Sequence, residues 1–145
     1  MNKKIFFENY DLSGYTTIKV GGVAEYFAEP RSIEEFSYLI KWANLNNQRC
    51  QIIGAGSNLL INNVFIKGLV VCTKKLKSLK IEPYSGIVEA EAGVMLPKLS
   101  NSLAKNRLQG GEWAIGIPGT LGGAIYMNAG MDLSLIHISE PTRPY

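Results

Sequence analysis

The sequence predicts an α+β chain made of two small α/β subdomains, the second of them incomplete. Apolar strand patterns alternate with one capped, amphipathic helix in the first half, and shorter strands with a second helix follow in the second half. The chain has 145 residues, 46% of them hydrophobic and 19% charged. These values are typical of a globular protein and allow one compact domain or two small subdomains.

The first subdomain is predicted over residues 15–73, after an N-terminal extension of residues 1–14. Its pattern of alternating or continuous apolar residues predicts extended segments at residues 17–20, 24–28, 50–53, 59–61 and 68–72. The last of these, Gly-Leu-Val-Val-Cys, is continuously apolar, which is typical of a strand buried on both faces of a sheet.

A helix is predicted between the second and third of these segments. Ser32 and Glu35 form a capping box, and apolar residues then recur at spacings of three and four up to Ala43. The helix is therefore expected over residues 33–46. A strand, a helix and two further strands in this order indicate a small α/β unit built on a crossover.

The second subdomain is predicted over residues 74–131. Short strands at residues 79–82 and 87–92 flank a Pro-Tyr-Ser-Gly turn, and a helix at residues 96–105 carries Pro97 in its first turn. We predict that the sheet of this subdomain is unfinished.

Composition excludes several functional classes. The net charge is +3, and the one dense lysine run, residues 74–80, lacks a nucleic-acid recognition motif, so we predict a solvated strand edge or loop and no nucleic-acid partner. Cys50 and Cys72 have no Cys-x-x-Cys spacing and no histidine partner, which predicts reduced thiols and no metal. No apolar run is long enough for a membrane span or a signal peptide, so the predicted location is the cytoplasm.

Residues 54–59, Gly-Ala-Gly-Ser-Asn-Leu, form the first glycine-rich segment. It is not the usual dinucleotide fingerprint, because Leu59 replaces the third glycine and the helix precedes the loop. It is not a P-loop, because no Gly-Lys-Ser/Thr follows. Two alternatives stay open from these residues alone: a nest of backbone N–H groups that binds phosphate, or a plain tight turn.

Residues 116–130 form the second glycine-rich segment. Apolar residues (Ile117, Leu121, Ile125 and Met127) alternate with its glycines, so it is not a disordered linker. It is either an ordinary glycine-rich corner or a surface that lies along a planar ring system, with backbone donors directed at ring heteroatoms.

Together with residues 15–22, Tyr-Thr-Thr-Ile-Lys-Val-Gly-Gly, the two segments resemble the UDP-N-acetylenolpyruvoylglucosamine reductases, cytoplasmic flavoenzymes of bacterial peptidoglycan synthesis. The resemblance covers about residues 15–131. It implies an FAD-binding domain of the vanillyl-alcohol-oxidase type with non-covalent FAD. It also implies NADPH as the reductant and hydride transfer to the enolpyruvyl double bond of a UDP-sugar substrate.

The resemblance further implies which residues bind the cofactor. The FAD pyrophosphate is assigned to one set: Gly54, Ala55, Gly56, Ser57, Asn58 and Leu59. The flavin side is assigned to a second set: Ile117, Pro118, Gly119, Thr120, Gly122, Gly123, Ala124 and Asn128. We expect Gly56→Val to abolish FAD binding while costing the fold less.

The resemblance covers only part of the family's sequence. The catalytic arginine, serine and glutamate of the family lie beyond the match, so no catalytic residue is assigned and the substrate domain is expected to be absent. Residues 132–145 resemble translated sequencing-adapter read-through, and we predict that this tail, with His137, is not native. Two alternatives are another FAD-linked oxidoreductase of the same fold, or a non-catalytic flavin-binding fragment. Weak FAD retention and no turnover are expected of the chain alone.

Overall fold

The computed structural model describes residues 5–62 and 64–129. The chain divides into two compact units, the first ending at Leu76 and the second beginning at Lys77. The predictions made for residues 130–145, including the non-native tail and His137, lie outside the described residues.

The first unit is built on a four-stranded sheet. Its strands are β1 (Phe7–Asp11), β2 (Val23–Ala28), β3 (Cys50–Ile53) and β4 (Phe65–Cys72), in the spatial order β1-β2-β4-β3. β4 is parallel to both of its neighbours, and β1 is antiparallel to β2. The last five residues of β4 are buried, which confirms the prediction of a strand covered on both faces.

Helix α1 (Ile33–Leu45) covers one face of this sheet. The Ser32 hydroxyl accepts a hydrogen bond from the Glu35 N–H at 3.3 Å, as the capping box predicts, while the Glu35 carboxylate accepts from the Arg31 N–H at 2.7 Å. Leu39 and Ala43 are fully buried against the sheet. The predicted helix is confirmed, and it ends one residue earlier than expected, with Asn46 as its C-cap.

The opposite face of the sheet is covered by irregular chain. Buried residues of the strands pack there against Leu12, Tyr15 and Ile61. The prediction of strands at residues 17–20 and 59–61 is wrong, because both runs lie in loops. Lys19 has a φ of +53°, which interrupts an extended run. Within the predicted N-terminal extension, residues 7–11 form β1, which pairs with β2.

The second unit contains a two-stranded antiparallel sheet, a helix and a short helix. These elements are β5 (Leu79–Glu82), β6 (Ile87–Ala90), α2 (Leu96–Lys105) and α3 (Leu121–Met127). β5 and α2 have the predicted bounds. β6 ends two residues early, where the Glu91 carboxylate accepts a hydrogen bond from the Ser78 N–H at 2.6 Å. The core of the unit is formed by Leu96, Ala114 and Ala124.

Helix α3 was not predicted. Its sequence, Leu-Gly-Gly-Ala-Ile-Tyr-Met, contains two glycines, which are poor helix formers. Tertiary contacts to the segment before α2 overcome that preference. Over residues 5–62 and 64–129, every helix is too short or too polar to cross a membrane.

Candidate functional site

The first candidate segment, residues 54–59, leaves the end of β3, and two of its backbone carbonyls, together with that of Ile53, accept hydrogen bonds from the protein. The Ile53 carbonyl accepts from the Thr73 hydroxyl at 3.2 Å, and the Gly54 carbonyl accepts from the Cys72 thiol at 3.7 Å. The Gly56 carbonyl accepts from the Thr17 N–H at 3.2 Å and from the Thr17 hydroxyl at 3.4 Å. We call Thr17, Cys72 and Thr73 the loop-anchoring residues.

The N–H groups of the same segment are used differently. Those of Ala55, Gly56 and Asn58 donate no hydrogen bond to any other residue in the described part of the chain. Backbone N–H groups are strong donors that normally find a partner. Neighbouring donors around a left-handed residue are the arrangement in which proteins bind anions. The segment therefore has the donors that a phosphate-binding loop requires.

Gly56 has a φ of +72° and is buried. A Cβ atom placed on it would lie 1.9 Å from the Tyr15 carbonyl oxygen and 3.0 Å from the Thr16 Cα. Both the φ angle and the contact require glycine at this position. Glycine at position 56 therefore allows the loop to pack closely against the backbone of Tyr15 and Thr16.

Residues 15–22 form the surface on which residues 54–59 rest. Gly21 and Gly22 are also restricted by close contacts, because a Cβ would lie 2.5 Å from the Ser13 nitrogen in the first case and 2.1 Å from the Val64 oxygen in the second. The Thr16 hydroxyl donates to the Val20 carbonyl at 2.7 Å and closes the turn. Two of the three sequence motifs therefore form one packed structure.

Charged groups follow the loop-anchoring residues at the end of β4. The Lys74 ammonium lies 5.9 Å from the centre of the Tyr15 ring, and the Lys75 ammonium pairs with the Glu29 carboxylate at 2.6 Å. Burial, a hydrogen bond with Tyr10 and the nearby Glu29 charge together raise the pKa of the Tyr15 phenol far above its usual range. Tyr15 is therefore neutral at every physiological pH.

In the second candidate segment, several backbone N–H groups donate hydrogen bonds to other groups of the protein. The first turn of α3 donates from Leu121 to the Val94 carbonyl at 2.8 Å and from Gly122 to the Ala92 carbonyl at 2.9 Å. The Gly123 N–H donates to the hydroxyl of Thr120, the N-cap, at 3.4 Å. In contrast, the N–H groups of Gly119 and Thr120, just before α3, make no hydrogen bond within the described residues.

The side chains of this segment divide between core and surface. Ile117 packs against the core cluster of the second unit, in which Ala124 is buried. A Cβ on Gly122 would lie 2.8 Å from the Ala92 Cβ. Pro118 and Asn128 are exposed, and Asn128 ends α3 in the left-handed conformation with a φ of +48°. The structure thus places the eight predicted flavin-side residues in α3 and the residues flanking it.

The loop-anchoring residues were not assigned by sequence reasoning. Thr17 lies inside the motif of residues 15–22, whereas Cys72 and Thr73 lie at the end of a predicted buried strand. Cys72 and Thr73 stand at the end of a parallel strand, and ligand sites in α/β sheets form at the carboxyl ends of strands. Their position is the feature by which the sequence could have identified them.

A parallel-stranded unit whose loop has N–H groups without an acceptor in the described residues, followed in sequence by a glycine-rich helix start, has features that nucleotide-cofactor-binding proteins use. Residues 24–139 match the family described as FAD binding domain, and the chain belongs to that family. The predicted fold class and the predicted FAD cofactor are confirmed.

The particular relatives confirm the resemblance found in the sequence. The chain is 68% identical over 130 residues to the UDP-N-acetylenolpyruvoylglucosamine reductase of Prochlorococcus marinus subsp. pastoris (strain CCMP1986 / NIES-2087 / MED4). That alignment covers 90% of this chain and 44% of the relative, so the chain spans less than half the length of the reductase it matches.

Solved structures show the same fold. The reductase of the same name from Thermus caldophilus is 29% identical, with a TM-score of 0.62 over 88% of this chain and 42% of that chain. Alkyldihydroxyacetonephosphate synthase is 21% identical, with a TM-score of 0.62 over 78% of this chain and 24% of that chain. The second likeness concerns the fold alone.

Proposed function

We propose that this chain is the FAD-binding part of an NADPH-dependent reductase that acts in the cytoplasm. The reaction is the conversion of UDP-N-acetylglucosamine enolpyruvate to UDP-N-acetylmuramate in peptidoglycan synthesis. The observation that carries the proposal is the 68% identity to a reductase of this name. It favours this reductase over another oxidoreductase of the same fold, since the synthase above is only 21% identical.

In this proposal, Gly54, Ala55, Gly56, Ser57, Asn58 and Leu59 bind the pyrophosphate of FAD. Two features of the structure support the assignment: the N–H groups of Ala55, Gly56 and Asn58 have no acceptor among the described residues, and the loop carbonyls accept from the protein. Donors fixed in this way bind an anion without having to reorganise.

The flavin side is assigned to Ile117, Pro118, Gly119, Thr120, Gly122, Gly123, Ala124 and Asn128. The N–H groups of Gly119 and Thr120 support this assignment, since they are the donors that the start of α3 leaves unused within the described residues. The first-turn donors of α3 already have protein acceptors, so the assignment of Gly122 and Gly123 rests on the resemblance and not on available hydrogen-bond donors.

Bound FAD supplies the hydride chemistry, and the residues of this chain bind the cofactor and orient it. The substrate, a UDP-sugar, and the catalytic groups are assigned to the portion of the reductase that this chain does not match. We therefore expect the 145-residue chain to bind FAD weakly and to show no NADPH-dependent turnover.

The first test is FAD retention. The purified chain is mixed with FAD, its affinity is measured by equilibrium dialysis, and its visible absorbance is recorded after desalting. A saturable FAD complex without turnover is the expected result. Reduction of the enolpyruvyl UDP-sugar by this chain alone would contradict the assignment of the catalytic groups elsewhere.

A second test places one negative charge beside the proposed pyrophosphate. Asn58→Asp adds a carboxylate to the loop, and Asn101→Asp adds the same group to an equally exposed position on α2. Repulsion between like charges at short range should lower the FAD affinity about tenfold for Asn58→Asp, and the loss should shrink in high salt. Asn101→Asp should bind FAD as the unmodified chain does. Equal affinities for the two variants would refute the pyrophosphate assignment.

A further inference from the structure

Three carbonyl contacts, at Ile53, Gly54 and Gly56, fix the orientation of three peptide groups. The described backbone contains no cis peptide bond, and in a trans peptide the N–H points opposite to the C=O. Because the Ile53, Gly54 and Gly56 carbonyls accept from the protein, the N–H groups of the residues that follow them point away from those contacts. Those residues are Gly54, Ala55 and Ser57.

We propose that the loop-anchoring residues, Thr17, Cys72 and Thr73, are positioning residues for the cofactor. Thr73 and Cys72 hold the Ile53 and Gly54 carbonyls and thereby direct the Gly54 and Ala55 N–H groups towards the pyrophosphate, and Thr17 holds the Gly56 carbonyl and so fixes the next peptide group of the loop. The inference rests on the proposed function and adds residues that lie outside the loop. None of the three needs to contact the ligand, since each acts through a peptide group of residues 53–57.

Thr73 is the residue on which the inference is best tested. It is only 5% exposed, and its hydroxyl donates to a carbonyl at the point where β3 becomes the loop. Valine has nearly the same shape but cannot donate, so the Ile53 carbonyl would lose this partner and its peptide group would be less firmly oriented. Serine retains the hydroxyl and loses only a methyl group.

The matched control is Thr16→Val. Thr16 is also 5% exposed and lies in the same unit, but its hydroxyl donates to the Val20 carbonyl instead of to residues 53–57. Both valine variants leave one carbonyl without its side-chain donor, so similar losses of urea resistance are expected. Of the two variants, only Thr73→Val removes a hydrogen bond to a carbonyl of residues 53–57.

The experiment measures FAD affinity by equilibrium dialysis and amide shifts by ¹⁵N–¹H NMR for the 145-residue chain. Thr73→Val should weaken FAD binding about tenfold, which is the scale of one buried hydrogen bond, while Thr73→Ser and Thr16→Val should stay within about twofold. The Gly54 and Ala55 amide signals should shift when FAD is added to the unmodified chain and shift less in Thr73→Val.

The outcomes separate the inference from the proposed function. If the unmodified chain binds FAD and Asn58→Asp weakens binding, but Thr73→Val binds as the unmodified chain does, the positioning inference is wrong and the function stands. An equal loss in Thr73→Val and Thr16→Val also overturns the inference, because it shows general damage. If the unmodified chain does not bind FAD, the proposed function itself fails.

Discussion

Two glycine-rich segments of this chain use their backbone hydrogen bonds in opposite ways. In residues 54–59 the carbonyls accept from the protein, and several N–H groups have no acceptor within the described residues. At the start of α3, the N–H groups of Leu121, Gly122 and Gly123 donate hydrogen bonds to protein acceptors. One segment has donors without an acceptor in the described residues, and the first turn of the other donates to protein acceptors.

The difference shows that glycine content alone does not define a donor site. Gly56 permits a left-handed turn against the Tyr15 backbone, whereas Gly122 permits a helix to pack closely on Ala92. Both are required by close contacts, yet the Gly56 N–H has no acceptor within the described residues, whereas the Gly122 N–H donates to the Ala92 carbonyl. The following substitutions test each part of this comparison.

The largest effect is expected at Gly56. Gly56→Ala should destabilise the fold by about 3 kcal/mol or more, because a left-handed φ and a backbone clash act together. Its control is Gly86→Ala, where φ is also +72° but no atom lies within 4 Å of the added Cβ, and the expected cost is about 1 kcal/mol. Urea unfolding measures both. The expectation that Gly56→Val costs the fold less than FAD binding is opposed by the 1.9 Å approach to the Tyr15 oxygen, which predicts a large cost to the fold.

A smaller effect is expected from the adjacent glycines of α3. A Cβ on Gly122 would lie 2.8 Å from the Ala92 Cβ, whereas one on Gly123 would lie 3.4 Å from the Thr120 hydroxyl. Gly122→Ala should therefore cost about 1–2 kcal/mol through overpacking. Gly123→Ala should gain about half a kcal/mol through helix propensity. The measurement is the Tm of each single variant in thermal unfolding. Equal shifts in Tm would show that Ala92 does not restrict the helix.

The cap of α3 should contribute about 1 kcal/mol, because the Thr120 hydroxyl accepts from a first-turn N–H. Thr120→Val removes that acceptor at nearly constant shape, and Thr120→Ser retains it. Urea unfolding should show a loss for valine and a much smaller one for serine. If serine costs as much as valine, the contribution of Thr120 comes from packing of its methyl group.

The smallest perturbation is chemical labelling of the two cysteines. Cys50 is exposed as a residue and Cys72 is buried. Partial loss of solvation at the Cys50 sulfur and burial of the Cys72 sulfur raise the pKa of both thiols, so labelling of each should accelerate as the pH rises through the alkaline range. Cys50 should react first with a thiol reagent. Cys72 should react only when the base of the loop opens, and FAD should slow it further. Labelling of Cys72 at the rate of Cys50 would show that the loop is not anchored as described.

Local sequence determined the regular elements because their signals are local. The capping box at Ser32, the spacing of apolar residues in α1 and the continuously apolar end of β4 each depend on neighbours a few residues away. The glycine-rich motifs, in their order along the chain, also determined the family. The predicted site residues remain proposals, since their assignment rests on the resemblance.

Tertiary structure alone decided how those motifs are used. Residues 59–61 have a strand-like composition but lie in a loop, and residues 121–127 contain two glycines but form a helix. The partners of the loop carbonyls, Thr17 and Thr73, are distant from them in sequence and meet them only in the folded chain. Hydrogen-bond partners of this kind cannot be read from spacing, because a carbonyl accepts from whichever donor the fold brings within reach.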